Sequence, residues 1–401
     1  MKALVLLASA VVLAASGPVT ANPLWTVGNS TSTGDQDNVA IAANRSGNVA
    51  IAWEDDRDTT NPGDNLHSDV WVRLFKVGTS VYEQKVSAGG TGNWTHIQPD
   101  IGLDDKGNAV VVWSEDPDGN GFYNIAVRVL SSTGTVVYSA TANTDSTGQQ
   151  SFPAVSVDPD GVSGSTSTIS YAVAWEDQQG TAAPTVRVAG FKNATRSYEK
   201  QVHATGGTNK GPDVAVSASG DTIVVWDEDI DGNGSFNVGL TRFNAAGAVT
   251  LAKTIANAGT AGDQTAASVA TTSNGDFAVA WESASSIVWR GFTASGTART
   301  GDVIASASGA APSVGIDDQN NVVIGWTVSG VDTYVHGFGP DGSDNVRLGA
   351  QQLSQVTTGK QEAIAVAVSP WGEVSVAYTD DNDGNGFDQV LLGLGIVNTA
   401  W

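Results

Sequence analysis

One pattern recurs seven times along the chain: a Gly-containing turn, a run of small β-branched residues, then an aromatic. It reads NVAIAW ending at Trp53, NAVVVW at Trp113, YAVAW at Trp175, TIVVW at Trp226, DFAVAW at Trp281, NVVIGW at Trp326 and EVSVAY at Tyr378. The intervals are 60, 62, 51, 55, 45 and 52 residues, a mean near 54. A repeat of this length built from strand-like pieces alone predicts an all-β, seven-bladed β-propeller. A chain of 401 residues would otherwise suggest two or three domains. Closure of the repeat into a ring makes residues 22–401 one unit.

The fourth repeat shows the plan of a blade. Pro212 to Ser217 alternates like a half-buried strand, Ser219-Gly220-Asp221 turns, and Thr222 to Trp226 is a continuous apolar run. A polar loop over 227–234 leads to strands at Phe236 to Phe243 and Val249 to Ile255. The seventh repeat ends too soon for a fourth strand. The segment Pro23-Leu24-Trp25-Thr26-Val27 matches the outer-strand column, so the N-terminal strand is expected to complete the last blade. The repeated aromatics are expected to fill the wedges between blades.

The ends and the composition narrow the function. Lys2, an apolar run from Ala3 to Ala15 and the small residues Val19-Thr20-Ala21 read as a signal peptide over 1–21, cleaved after Ala21. The expectation is an exported protein, secreted, at the cell surface or in the periplasm, without membrane insertion. There are 42 acidic and 19 basic side chains and a formal charge of −23, which argues against nucleic acid as a partner. Cysteine is absent, so neither a disulfide nor a thiolate site exists.

The loops after the aromatics are unequal, and they carry the candidate chemistry. Blades 7, 1 and 2 are acidic there, blades 5 and 6 nearly uncharged. The pattern D-x-D-x-D-G offers a hard cation alternate carboxylates and a sharp bend. Blade 4 fits it best, with Asp227, Asp229, Asp231, Asn233 and Ser235 as calcium ligands. Asp116, Asp118 and Asn120 in blade 2, and Asp381, Asp383 and Asn385 in blade 7, form weaker versions. The same residues also suit a plain tight turn, since Asp-Gly and Asn-Gly favour positive φ. Trp94, His96 and His67 form a candidate recognition pocket on the same face. Catalysis by a glycoside hydrolase needs two carboxyls. The first-strand column at the channel entrance reads Asn38, Asp100, Ala154, Asp213, Ser268, Ser313 and Ala363, so Asp100 and Asp213 are the pair available. A sialidase would need clustered arginines, whereas Arg73, Arg128, Arg242 and Arg290 fall in third strands.

The unit Q-x-x-P-[DS]-V-A, G-[DN]-x-V-V-x-W, D-x-D-G-N-G, V-x-x-R-F resembles a repeat found in large secreted bacterial proteins and surface adhesins. Gln98 to Leu130, Gly211 to Phe243 and Gln361 to Gly395 carry it most closely. The DGNG stretch is similar to the calcium loops of FG-GAP propellers, with Phe122, Ser235 and Phe387 where those loops have a further aspartate. The resemblance implies a secreted recognition or scaffold role and brings no catalytic residues; the expected partner is an extracellular glycan or surface protein. The leading expectation is a binding module stiffened by calcium. The alternatives are a polysaccharide hydrolase and a structural surface or matrix component.

Overall fold

A computed structural model describes residues 24–57, 68–87, 95–161, 168–180, 182–203, 206–328, 332–345, 348–353, 360–381 and 386–397. These residues form seven four-stranded antiparallel sheets, and no helix occurs among them. The sheets are the blades of a seven-bladed β-propeller. Within each blade the strands are called inner, second, third and outer.

Blade 4 runs Thr208–Val216, Thr222–Asp229, Asn237–Phe243 and Val249–Ile255, close to the sequence expectation. Its inner strand starts earlier than the alternation suggests, because a bulge at Gly211 and Pro212 lets the strand continue toward the preceding connector. Ring closure is as expected. Leu24–Val27 pairs with Gln389–Val397, in the register Leu24 to Leu394 and Val27 to Leu391. Trp25 lies edge-on to Tyr378 at 6.1 Å. The last blade is thus shared between the two ends of the described chain.

The core is a set of wedges between blades. One cluster joins Ala50, Ala52 and Val72 of blade 1 to Ile101, Val111 and Trp113 of blade 2. Another joins Ile51 and Trp53 of blade 1 to Ala377, Val390 and Leu392 of blade 7. The aromatics that end the second strands are all buried, Trp53, Trp175, Trp226, Trp281 and Tyr378 completely. The wedge leaves no room opposite the ring: a Cβ on Gly239 would lie 2.3 Å from the Trp226 indole. Burying such a side chain removes it from water and fills space that no neighbour could take up, so truncation costs about 3–5 kcal/mol.

Candidate functional site at the channel mouth

Inner strands line the central channel with one hydrogen-bonding edge unpaired, and that edge needs partners. Each inner strand slips register near its start. At every slip one residue has positive φ: Asn38, Gln98, Phe152, Gly211, Ala266, Ala311 and Ala363. These seven positions ring one mouth of the channel. At five of them the amide is held by the blade before. Glu54 accepts from Gln98 N at 2.6 Å, Glu176 from Gly211 N at 2.7 Å and Glu282 from Ala311 N at 2.6 Å. Asp227 accepts from Ala266 N at 3.1 Å and Ala267 N at 3.3 Å. In blade 2 the post-aromatic residue is Ser114. It donates to Gln98 Oε1, and that oxygen accepts from Phe152 N at 2.9 Å.

The register slip also corrects the channel column. The residues following the slips are Ala40, Asp100, Ala154, Asp213, Ser268, Ser313 and Ala365, so Asn38 and Ala363 belong to the mouth instead. Asp100 and Asp213 line a central cavity of about 400 Å³. Each stitches one inner strand to the next. Asp100 accepts from Ile101 N at 2.8 Å and from Val155 N of blade 3 at 2.6 Å. Asp213 accepts from Val214 N at 2.7 Å and from Val269 N of blade 5 at 2.8 Å. Ser156, Ser268 and Ser313 do the same work with hydroxyls. Burial, with the Asp213 charge against the amides, pushes the Asp100 carboxyl up to about 7. Burial pushes Asp213 up to about 6.

The far end of the channel is crossed by one side chain. Arg45, in the first turn of blade 1, reaches Ser273 Oγ of blade 5 at 2.8 Å and Asp318 of blade 6 at 3.1 Å. Its backbone amide donates to Asp105 of blade 2, and its guanidinium lies 4.8 Å over the Trp371 ring of blade 7.

Phe152 stands out at that mouth. It is 51 % exposed, and its φ is 51°. Positive φ is uncommon for any residue with a side chain and is an outlier for a bulky one. The other six positions hold Asn, Gln, Gly or Ala. An aromatic placed there against its backbone preference and left in solvent is the observation most in need of a functional reason.

The predicted metal loop of blade 4 is not assembled as the pattern suggested. Asp227 is buried and turned to the blade 5 amides, and burial raises its carboxyl to about 6. Asp229 accepts from Asn233 N at 3.0 Å and Gly234 N at 3.0 Å, Asp231 takes the Asn233 side chain at 2.9 Å, and Asn233 Oδ1 takes Ser235 N at 2.7 Å. Blade 2 repeats this with Asp116, Asp118 and Asn120. Asp381 of blade 7 caps Gly386 N, while Asp383 and Asn385 lie outside the described residues. These hydrogen bonds build a self-capped turn. Among the described residues the carboxylates that do converge are Asp35, Asp37 and Asp388, whose oxygens lie within 4.8 Å of one another at the junction of blades 7 and 1. Burial and mutual repulsion push Asp37 and Asp388 up to about 7. No spacing along the chain signals this triad, since Asp388 N donates to Asp35 Oδ1 across 353 residues.

Of the expected recognition pocket, His96 alone lies among the described residues. His96 is 2 % exposed, with Nδ1 against Ser68 O at 3.2 Å and Asp69 at 3.5 Å, so it is part of the blade 1–blade 2 junction. Trp94 and His67 lie outside the described residues. Three third-strand arginines hold carbonyl oxygens: Arg73 that of Gly28, Arg242 that of Ala294 and Arg290 that of Ala256. Arg128 packs over the Trp113 ring.

The sequence matches no protein-family model. No curated protein matches it. In structure it is similar to the NanB sialidase from Streptococcus pneumoniae, with 13% identity and a TM-score of 0.50 over 93% of this chain and 70% of that one. It is also similar to the GH93 α-L-arabinofuranosidase of Fusarium graminearum solved with arabinobiose, with 12% identity and a TM-score of 0.50 over 93% and 96%. A prolyl endopeptidase structure matches with 13% identity and a TM-score of 0.51 over 91% of this chain and 48% of its own. At these identities the likeness is one of fold.

Proposed function

We propose that the chain is an exported recognition module that binds an extracellular glycan at the mouth of its central channel. The observation that carries this reading is Phe152: an exposed ring, fixed in a left-handed backbone, at the mouth of the central channel that Arg45 crosses at its far end. An aromatic face over a concave site with a few fixed polar groups suits a ligand with both apolar and hydroxyl faces. The sialidase and the arabinofuranosidase of similar fold lend support, as does the adhesin-like repeat. Export rests on residues 1–21, which lie outside the described residues.

Hydrolysis is the second reading, and one observation favours it. Asp100 and Asp213 face the same cavity with carboxyls raised to about 7 and about 6, so one can hold a proton while the other is ionised. Against it, each already accepts two backbone amides. A glycan array together with a screen for reducing ends released from polysaccharides separates the two. Binding without turnover, lost in Phe152→Ala, is the expected result. Turnover abolished by Asp213→Asn would replace the module by an enzyme, and silence in both assays would remove both readings.

Calcium enters the proposal through Asp35, Asp37 and Asp388, where three oxygens converge, and not through the blade 4 loop. Calorimetric titration of calcium into the wild type and Asp37→Asn tests this. Binding that persists in the variant would rule it out.

A further inference from the structure

The residue two places after the repeated aromatic is acidic in five blades, and in four of them a basic side chain of the same blade acts on it. Asp55 Oδ2 holds Arg57 at 2.5 Å and accepts from Trp53 Nε1 at 2.7 Å. Glu115 accepts from Trp113 Nε1 at 3.0 Å and feels the charge of Arg128. Asp177 lies 3.7 Å from Arg187, and Glu228 lies 2.7 Å from Lys253.

The fifth acid, Asp380 in blade 7, has none of these partners among the described residues. Its aromatic is Tyr378, which has no indole N–H to give. Leu391 stands opposite Tyr378, where Arg187 stands opposite Trp175. Asp380 is 1 % exposed. One oxygen accepts from Gln361 Nε2 at 3.0 Å; the other, Oδ2, has no hydrogen-bond partner among the described residues. A cavity of about 350 Å³ adjoins it, between the end of the closing strand and blade 7. Val27 and Leu391 give this cavity an apolar wall, and Ser30, Thr31 and Ser32 a polar rim. A buried carboxylate without a counter-charge is strongly unfavourable, and the rest of the repeat shows which chemistry satisfies it.

We infer that Asp380 and its cavity form a binding site for an organic cation from outside the chain, a guanidinium or primary ammonium on a short apolar stem. The occupant replaces the Arg or Lys that the other acidic blades carry within themselves. A metal ion fits poorly, because it needs several free oxygens. The side-chain oxygens Asn29 Oδ1 and Gln389 Oε1 beside the cavity already accept from Val390 N and Asn29 Nδ2. The site lies apart from the channel mouth and does not rest on the glycan reading.

Butylguanidinium and butylammonium chloride are the probes, titrated calorimetrically into the full protein at constant ionic strength. Tetramethylammonium chloride, equal in charge but without N–H groups, is the control. The expected result is saturable one-to-one binding of a butyl probe, none of the control, and loss of binding in Asp380→Asn. Should that variant fail to fold, Ser32→Phe blocks the exposed rim and leaves the carboxylate in place; it too should abolish binding. Heats of dilution alone for both butyl probes would overturn the inference, as would binding unchanged in either folded variant.

Discussion

At the scale of single residues, identity and backbone disagree most at Phe152. A left-handed conformation costs an L-residue about 1–2 kcal/mol, and Asn tolerates it best after Gly. Asn38 already occupies the equivalent position in blade 1. Phe152→Asn is therefore expected to raise unfolding stability by about 1 kcal/mol while abolishing glycan retention. Denaturant unfolding and a polysaccharide column measure the two; a destabilised variant that still binds would show the ring to be mere packing. A second contrast separates the acids of blade 4. Asp227→Ala leaves the amides of Ala266 and Ala267 without their acceptor, at a cost of about 1–3 kcal/mol. Asp231→Ala alters only an exposed turn and should stay within about 0.5 kcal/mol. Equal losses from the two would restore Asp227 to a shared loop with Asp231. The sequence could not separate these roles, because D-x-D-x-D-G has the same letters whether its first acid faces the loop or the next blade. Alignment across repeats does separate them: Asp227 falls with Glu54, Glu176 and Glu282, each of which holds an amide of the following blade.

At the scale of elements, the aromatic-ended second strands were legible because they are buried on both faces and so read as unbroken apolar runs. The inner strands were harder. Their left-handed residues share no identity, being Asn, Gln, Phe, Gly and three Ala. A weaker signal was present: Pro99, Pro153, Pro212 and Pro312 each follow one of them, and proline within a strand marks an edge or a bulge. The closing strand was legible from the missing fourth strand of blade 7, yet the acidic triad beside it was not, since it joins two distant ends of the chain. The strand's energetic role can be tested directly. Without Leu24–Val27 the strand Gln389–Val397 has an open edge, and Tyr378 loses the Trp25 ring from its side. A chain starting at Gly28 should melt at a lower temperature and less cooperatively in scanning calorimetry. An unchanged melt would mean that the ring holds without its closure.

At the scale of the whole molecule, the carboxyls raised by burial act in one direction. Asp37, Asp100, Asp158 and Asp388 are pushed to about 7, and Asp213 and Asp227 to about 6, from an ordinary 3.8. Between the ordinary value and the raised one, the folded state keeps protons that the unfolded state has released. Stability therefore falls as pH rises through that window and is greatest near its acidic end. The formal charge of −23 pushes the same way, because self-repulsion grows as carboxylates ionise. The expected outcome is a melting temperature higher at pH 5 than at pH 8. Two single-charge variants separate the specific effect from the general one. Asp37→Asn removes a charge from the crowded junction of blades 7 and 1, and should flatten the pH dependence. Asp118→Asn removes the same charge from an exposed turn and should leave the slope close to that of the wild type. A melting temperature that holds or rises from pH 5 to pH 8 would mean that the ring accommodates its buried carboxylates in ionised form. Equal flattening by the two variants would assign the slope to net charge alone.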